Sequence, residues 1–430
     1  MTGRTVLVTG VTRYVASELA GRLAAHPEVD RVIGVDAAMP EPAARARMGD
    51  AEFARADIRN PLIFRVIEAA GVDTVVHASA SSTPSGSAAR SMAKEMNVLG
   101  TMQLLAACQR SSGVRNLVVR STAAVYGCSP RDPAIATEET LARSVPSTGL
   151  ARDAIDIEGY VRGFGRRRPD VRVAVPRFCE IIGPTVRTPL TKYFSMSPLV
   201  PLAAGRDARI QLVHESDAAA LLAHLVLGTF AGIVNVAGDG AMTVAQAIHR
   251  AGRLALPVPS AALDTVGRAL GLLRAGGLLE LAGLAGMSGF SAFTAAQVRS
   301  LGAGRVLDTT RLRDEVGFTP KFSTVAAFDD FAARLTPAVP ARTVRAAEIA
   351  VATTLRVAPG AGSPERQAPA RSGWASAASM TGSAVAPVAA SSAMPTEVSD
   401  EAEARPRLFS IQGSAGGSAP ARSPRSGGSK

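Results

Sequence analysis

The chain has 430 residues, of which 47% are hydrophobic and 4% aromatic, and its formal net charge is +11. Its length and apolar content fit an ordinary globular protein of two or three domains. Its basic residues are mostly arginines that are scattered rather than interleaved with aromatic residues, which favours a generally basic surface over a nucleic-acid groove and also suits an anionic ligand such as a nucleotide.

Short β-branched runs alternate with amphipathic helical stretches from the amino terminus. Predicted strands cover Thr5–Thr9, Arg31–Val35, Glu52–Ala54, Thr74–His77, Asn116–Arg120 and Arg172–Pro176. Predicted helices cover Val15–Ala24, Pro61–Ala70, Ala93–Arg110 and Arg152–Arg166. Apolar strands separated by helices are typical of a parallel sheet that is covered on both faces. The pattern therefore predicts an α/β fold, a Rossmann-type doubly wound parallel sheet with ligands at the carboxyl ends of its strands.

Three segments are expected along the chain. Residues 1–180 form the Rossmann domain, with segments returning from later in the sequence, and residues 181–337 form a smaller substrate lobe. Residues 338–430 are rich in Ala, Ser, Pro, Gly and Arg, and such a segment buries too little apolar surface to offset its ordering entropy. We expect a mostly disordered tail, in which only Arg342–Arg356 has the pattern of an amphipathic helix.

Cysteine usage and hydropathy indicate a cytoplasmic protein. The three cysteines lie in apolar runs, at Cys108, Cys128 and Cys179. Their odd number and their surroundings favour reduced thiols over a disulfide framework or a metal site. No signal peptide is expected, because a strand begins at Thr5, and the most apolar stretch, Ala218–Val236, is interrupted by His224. We expect no membrane contact.

Three features in order predict a dinucleotide site in the first half of the chain. Thr9 and Gly10 end the first strand and begin a helix, whose N–H groups and dipole favour a diphosphate. Asp36 ends the second strand, where a carboxylate binds the ribose hydroxyls of NAD and repels the additional phosphate of NADP. Asp57 and Ile58 follow the third strand, where the Asp side chain can reach an adenine amino group. Each feature alone is also typical of an ordinary turn, so the prediction depends on the ordered set.

In these residues and in the stretches below, the chain resembles the extended short-chain dehydrogenase/reductase family of NAD-dependent epimerases and dehydratases. It is most similar to divergent actinobacterial members related to UDP-glucose 4-epimerases. The matching stretches are VTGVTRYVA (8–16), VIGVD (32–36), ADIRNP (56–61), VVHASA (75–80), NVLGTMQLLAAC (97–108), STAAVYG (121–127), PRFCEIIGP (176–184), VHESDAA (213–219), VNVAG (234–238) and DTTRLRDEVGFTP (307–319). The resemblance implies NAD as cofactor, a nucleotide sugar or similar anionic small molecule as ligand, and a homodimer formed by the helices near Thr101–Arg110 and Arg152–Arg166.

The glycine motif of that family, Thr-Gly-x-x-Gly-x-x-Gly, is only partly kept. Arg13 and Ala16 hold its second and third glycine positions. Alanine is tolerated where the helix packs on the sheet, whereas the second glycine lets the backbone approach the diphosphate. Arg13 either brings a guanidinium onto the phosphates or fills the space that the cofactor needs. The retained Asp36 and Asp57 favour cofactor binding.

The catalytic residues of the family are incomplete. Its active members use a Ser or Thr, a Tyr and a Lys, and the lysine lowers the pKa of the tyrosine so that it can take a proton from a sugar hydroxyl. By resemblance Thr122 is the Ser/Thr, and counting back from Glu158 places Leu150 at the tyrosine and Ala154 at the lysine. No Tyr-x-x-x-Lys occurs anywhere in the sequence. We therefore expect weak, altered or lost activity.

Three polar residues near the expected site have two interpretations each. Asp153 is a candidate replacement base, although a carboxylate near a helix N-terminus is more often simply solvated. His77 ends the fourth strand beside the cofactor, a position that is also typical of a packed histidine. Asn97 lies, by resemblance, on a helix near the active site, or else it is a local packing feature.

The substrate lobe also departs from the family. Glu180 stands where many relatives carry an asparagine that contacts the phosphate region of the substrate, and a carboxylate there repels a diphosphate unless it is paired. Arg177 is a candidate to compensate that charge. Three hypotheses follow: an NAD-binding protein with little redox activity, an active epimerase or dehydratase with a rearranged acid/base set, or a non-catalytic interaction scaffold.

Overall fold

A computed structural model describes residues 3–78, 87–127, 132–143, 149–205, 208–262 and 304–336, with isolated positions at 265, 272, 298 and 301. The tail predicted at 338–430, the helix predicted at Arg342–Arg356 and the thiol of Cys128 lie outside these described residues.

Sixteen strands lie in the described part of the chain, and eight of them form one parallel sheet. They are β1 (Arg4–Thr9), β2 (Val29–Asp36), β3 (Glu52–Arg55), β4 (Thr74–His77), β5 (Asn116–Val119), β6 (Ser121–Thr122), β7 (Ile135–Ala136), β8 (Arg172–Phe178), β9 (Glu180–Ile182), β10 (Leu199–Ala203), β11 (Arg209–Ile210), β12 (Leu212–His214), β13 (Gly232–Val236), β14 (Met242–Thr243), β15 (Leu254–Val258) and β16 (Val306–Leu307). The sheet order is β3-β2-β1-β4-β5-β8-β13, with β6 also paired to β8. This order confirms the predicted α/β Rossmann-type fold.

Eleven α-helices occur among the described residues. They are α1 (Tyr14–Ala24), α2 (Pro42–Met48), α3 (Ile63–Ala69), α4 (Ser87–Lys94), α5 (Gly100–Arg110), α6 (Leu150–Arg167), α7 (Pro189–Phe194), α8 (Glu215–Leu227), α9 (Val244–Arg250), α10 (Thr310–Asp314) and α11 (Thr324–Ala332). The helix predicted at Ala93–Arg110 is interrupted by a π-helical turn at Glu95–Leu99, which hydropathy periodicity does not distinguish from α-helix. None of these helices is long and apolar enough to cross a membrane.

Apolar clusters cover both faces of the sheet. On one face, Leu19 of α1 and Leu222 of α8 pack with the strand residue Val8, and all three are fully buried. On the other face, Leu104 of α5 and Phe164 of α6 are equally buried. Burial on both faces explains why the strands are continuous apolar runs rather than alternating ones.

The later part of the chain forms shorter sheets around its own core. There β10 pairs with β15, β9 with β12, and β7 with β16, all parallel, while β11 and β14 pair antiparallel. The core includes Tyr193, Phe194 and Phe328, whose rings contact edge to face at centroid distances of 4.9 and 5.0 Å. These elements lie beyond the carboxyl edge of β8, so they can supply a second wall to a ligand bound at that edge.

The strand order reverses between β1 and β4, which are hydrogen-bonded neighbours. In a doubly wound sheet the crevice outside the carboxyl ends of such strands is where ligands bind. The residues that follow β1, β2, β4, β5 and β8 therefore define the site.

Candidate functional site

The turn after β1 is held to the end of β2. Gly10 has a φ of 80°, a left-handed conformation that glycine adopts without strain, and its N–H donates to the Val35 carbonyl at 2.8 Å. Thr12 donates its hydroxyl and its N–H to Asp36 Oδ2, at 2.7 and 3.2 Å. The predicted Gly10 and Asp36 thus lie together at the first turn of α1. The second oxygen of Asp36 accepts only a 3.2 Å bond from the Ala38 N–H among the interactions described.

Arg13 is the N-cap residue of α1, four residues after the end of β1. Its side chain reaches solvent and makes no capping hydrogen bond. The surrounding protein nevertheless desolvates the guanidinium and lowers its pKa, an effect that attraction by Asp36 partly offsets.

Asp57 and Ile58 are held by protein partners at the end of β3. The Arg59 guanidinium donates to both Asp57 oxygens, at 2.6 to 3.1 Å, and this hydrogen bonding lowers the pKa of Asp57. Ile58 is 5% exposed, and a Cβ added at Gly100 would lie only 2.9 Å from its Cδ1. Ile58 therefore packs closely on the first turn of α5. The cofactor contacts that we predict for Asp57 and Ile58 stay predictions.

His77 is a buried histidine with hydrogen-bond partners on both sides. Its Nδ1 lies 2.9 Å from Thr9 Oγ1, and its Nε2 lies 2.9 Å from Thr101 Oγ1. Burial, and then the charge of Arg120, lower its pKa to about 4, so the imidazole is neutral at pH 7. The observed geometry is that of a packed histidine linking β1, β4 and α5, and its cofactor contact stays a prediction.

Asn97 and Asp153 contact each other inside the protein. Asn97 lies in the π-helical turn, is 1% exposed, and donates its amide to Asp153 Oδ2 at 3.2 Å. Asp153, in the first turn of α6, is 0% exposed. The expectation that this carboxylate is solvated is wrong, because the turn at Glu95–Leu99 carries Asn97 over it. Its role as a base stays a prediction.

The two positions at which the resemblance places the catalytic tyrosine and lysine carry apolar residues in the structure. Leu150 begins α6 and is partly buried, while Ala154 is 5% exposed and packs with Val125 and Tyr126. Thr122 ends β6, and its hydroxyl accepts a 3.3 Å hydrogen bond from the Ala124 N–H. Thr122 is thus ordered by its own turn and only partly buried.

Arg177 belongs to a buried polar network. Its guanidinium donates to both Glu158 oxygens, at 3.0 and 2.7 Å, and to the Tyr126 hydroxyl at 2.9 Å. Tyr126 in turn donates to Asn235 at 2.5 Å, and Ser121 donates to Glu158 at 2.6 Å. Although burial opposes the charge, the Glu158 contact leaves the Arg177 pKa above its ordinary value. These partners are structural, and the substrate contact predicted for Arg177 stays a prediction.

Sequence reasoning missed Arg120. It follows β5 directly, its N–H bonds to the His77 carbonyl at 3.0 Å, and its Nη1 donates to the Ala78 carbonyl at 3.1 Å. Desolvation, and then repulsion by Arg13, lower its pKa to about 10, whereas Glu180 raises it. A charged residue directly after the buried run Leu117–Val119 was the available signal.

Glu180 begins β9, two residues after the end of β8. It is solvent-exposed, but the cleft walls desolvate its carboxylate and raise its pKa, which Arg120 opposes. Within the described residues its carboxylate has no hydrogen-bond or ion-pair partner. The sequence predicts that Glu180 repels a diphosphate unless a cation pairs with it. In the structure the charge of Arg120 acts on Glu180, but no direct ion pair forms between them.

A separate open cavity of about 810 Å³ lies beside the Thr122 segment. Its lining includes Arg209, Gln211, Arg305 and Arg313. Arg305 also donates to the Ala123 carbonyl at 3.3 Å, which ties the cavity to the residue after Thr122. Arg305 is paired with the buried side chain of Asp132 at 3.6 Å and Asp239 also lines the cavity, so Arg209 and Arg313 are the arginines that give it its basic character. Across the described ranges, no group of three or more His, Cys, Asp and Glu side chains could hold a metal ion.

Comparisons with known proteins agree with this geometry. The family model described as "NAD dependent epimerase/dehydratase family" matches residues 6–227. An uncharacterized protein of Mycobacterium tuberculosis is 46% identical over 350 residues, 80% of this chain and 88% of the relative. The UDP-glucose 4-epimerase of Thermotoga maritima, solved with UDP-glucose, has a TM-score of 0.58 at 16% identity over 77% of this chain and 98% of its own. The UDP-glucose 4-epimerase of Thermus thermophilus, solved with NAD, has a TM-score of 0.57 at 21% identity over the same two shares.

Proposed function

Because the chain belongs to the NAD-dependent epimerase/dehydratase family, we propose that it binds NAD and a nucleotide sugar but performs hydride chemistry weakly, in altered form, or not at all. One observation carries this proposal. The carboxylate suited to the cofactor ribose, Asp36, is held by Thr12, whereas Leu150 and Ala154 stand where the family resemblance leads us to expect the tyrosine and the lysine.

The residues at the carboxyl edge fit NAD. The Gly10 turn and the start of α1 suit a diphosphate, and Asp36 keeps an oxygen for a ribose hydroxyl. Arg120 leaves the buried atom Nε without a hydrogen-bond partner, which an anionic ligand in the crevice would compensate electrostatically. When bound, NAD supplies a hydride acceptor. Structural neighbours that were solved with NAD support this assignment.

The Arg-lined cavity supports a nucleotide-sugar ligand. Guanidinium groups match phosphate oxygens in charge and in geometry, and Arg209 and Arg313 supply two of them. Neighbours solved with UDP-glucose or UDP-glucuronic acid support this ligand class.

The proton-transfer residues do not support ordinary turnover. Thr122 can hold a substrate oxygen through its hydroxyl, but a threonine does not act as a base near neutral pH. Asp153 is fully buried and bonded by Asn97, which disfavours the alternative of a rearranged acid/base set. Loss of a general base costs about 10²- to 10⁴-fold in rate. From a typical turnover of about 10 per second, we expect roughly 0.1 per second or less.

A cytoplasmic homodimer completes the proposal. Free Cys108 and Cys179 suit a reducing compartment. Leu99, Met102 and Tyr160, on neighbouring helical segments, are 42%, 41% and 38% exposed, which supports an interface there. The scaffold alternative would keep such an interface without any cofactor.

The test is a calorimetric titration of the full-length chain with NAD, followed by an assay of exchange between UDP-glucose and UDP-galactose. We expect saturable NAD binding and exchange at least about a hundredfold below a typical family rate. If no binding is seen at millimolar NAD, both NAD-dependent hypotheses are excluded and the non-catalytic scaffold remains. Binding together with turnover near 10 per second would instead establish the rearranged active site.

A further inference from the structure

Arg120 is an incompletely bonded cation at the edge of the sheet. One terminal nitrogen donates to the Ala78 carbonyl, but Nε is buried without a partner. The other terminal nitrogen of Arg120, Nη2, makes no hydrogen bond to any residue that the structure describes. A buried charged donor that lacks partners costs stability, and its persistence is a recognised mark of a site that a ligand completes.

Arg13 and Glu180 surround this cation without neutralising it. Arg13 follows β1 and Arg120 follows β5, and only β4 lies between these two strands in the sheet. Desolvation lowers the pKa of both guanidinium groups, and repulsion by Arg13 lowers that of Arg120 further. Glu180 attracts Arg120, yet no ion pair joins their side chains. Two like charges therefore lie at the same edge of the sheet, and an anion between them would relieve their repulsion.

We propose that Arg13 and Arg120 together form a diphosphate site, with one guanidinium for each phosphate. The proposal rests on the proposed NAD function and adds residues that are particular to this chain. By resemblance, Arg13 stands where the family motif has a glycine that lets the backbone come close to the diphosphate. The guanidinium of Arg13 would therefore bind the phosphates that backbone N–H groups bind in the motif. A planar guanidinium binds two phosphate oxygens at once, which suits this exchange.

The flanking carboxylates limit what the diphosphate can carry. Asp36, Arg13, Arg120 and Glu180 follow β2, β1, β5 and β8, so the charges run acidic, basic, basic, acidic along the carboxyl edge. Carboxylates accept hydrogen bonds from sugar hydroxyls and repel further phosphates. The site therefore selects a diphosphate flanked by uncharged sugars, and it disfavours a triphosphate or a phosphorylated ribose.

The test uses ADP as the probe, titrated by calorimetry into the full-length chain and into Arg120→Met. Loss of a charge-assisted contact should weaken ADP binding about ten- to a hundredfold. The same variant should unfold at a higher temperature, because it removes an unfavourably desolvated charge. Arg120→Lys keeps the positive charge but loses the planar guanidinium, so its affinity for ADP should lie between those of the wild type and Arg120→Met. Arg115→Met, at an exposed arginine near Asp170, is the matched control and should bind ADP like the wild type.

The outcomes separate this inference from the proposed function. Unchanged ADP and NAD affinity in Arg120→Met and Arg120→Lys would overturn the diphosphate site and leave NAD binding intact. If ADP binds in a way that depends on Arg120 but NAD does not bind, the result would support the diphosphate site and overturn the proposed function. Binding of neither ligand by the wild type would overturn both.

Discussion

The Glu158 carboxylate accepts two hydrogen bonds from the Arg177 guanidinium, at 3.0 and 2.7 Å, and both side chains are buried. This contact ties the middle of α6 to β8, and Ser121 and Tyr126 complete it. It fixes the part of α6 that begins with Leu150 and Ala154, the positions that we predict in place of the catalytic pair.

Glu158→Gln should destabilise the protein by about 3–5 kcal/mol, because it leaves the buried Arg177 charge without its counterion. Urea unfolding followed by circular dichroism measures this loss. Glu52→Gln is the matched control, since Glu52 forms a two-bond contact with Arg31 on the surface and should change the midpoint little. Equal effects in the two variants would show that the buried network is not a stabilising unit.

Stability should fall between pH 6.5 and pH 4 because of His77. Its pKa is lowered to about 4 from an ordinary 6.5, so the unfolded chain binds a proton that the folded protein excludes in this window. The loss should reach about 3 kcal/mol at pH 4. The raised pKa of Glu180 contributes with the opposite sign, so the comparison is made against His77→Gln. A variant with the same pH slope as the wild type would contradict this assignment.

NAD should bind at least about tenfold more tightly than NADP, since Asp36 would face the additional ribose phosphate. Asp36→Asn removes that repulsion but keeps an oxygen for the Thr12 hydroxyl. The ratio of the two dissociation constants, measured by calorimetry, should therefore move toward one in the variant. A wild-type protein that binds NADP equally well would place the ribose away from Asp36.

Leu150→Tyr combined with Ala154→Lys should raise UDP-glucose to UDP-galactose exchange by about 10²- to 10⁴-fold, because it restores a base and the charge that tunes its pKa. Ala154→Lys alone should lower stability by about 1–3 kcal/mol, since Ala154 packs in an apolar cluster. If the double variant folds and binds NAD but exchanges no faster, the two replacements are not what limits the reaction.

The fold was predictable because its signal is local. Strands such as β1, β4 and β5 contain apolar runs that are read directly from the sequence, and Gly10 and Asp36 lie at the carboxyl ends of β1 and β2. The buried state of Asp153 was not predictable, because it depends on a π-helical turn that brings Asn97 across from another helix. Arg120 was missed for a related reason: Arg13 and Glu180, the charges that shift its pKa, are far away in sequence.

Titration of the full-length chain with NAD tests the central claim most directly. The account predicts saturable binding, with one site per chain, that weakens when Asp36 or Arg120 is replaced. No heat of binding at millimolar NAD, from a protein that is folded by circular dichroism, would contradict it.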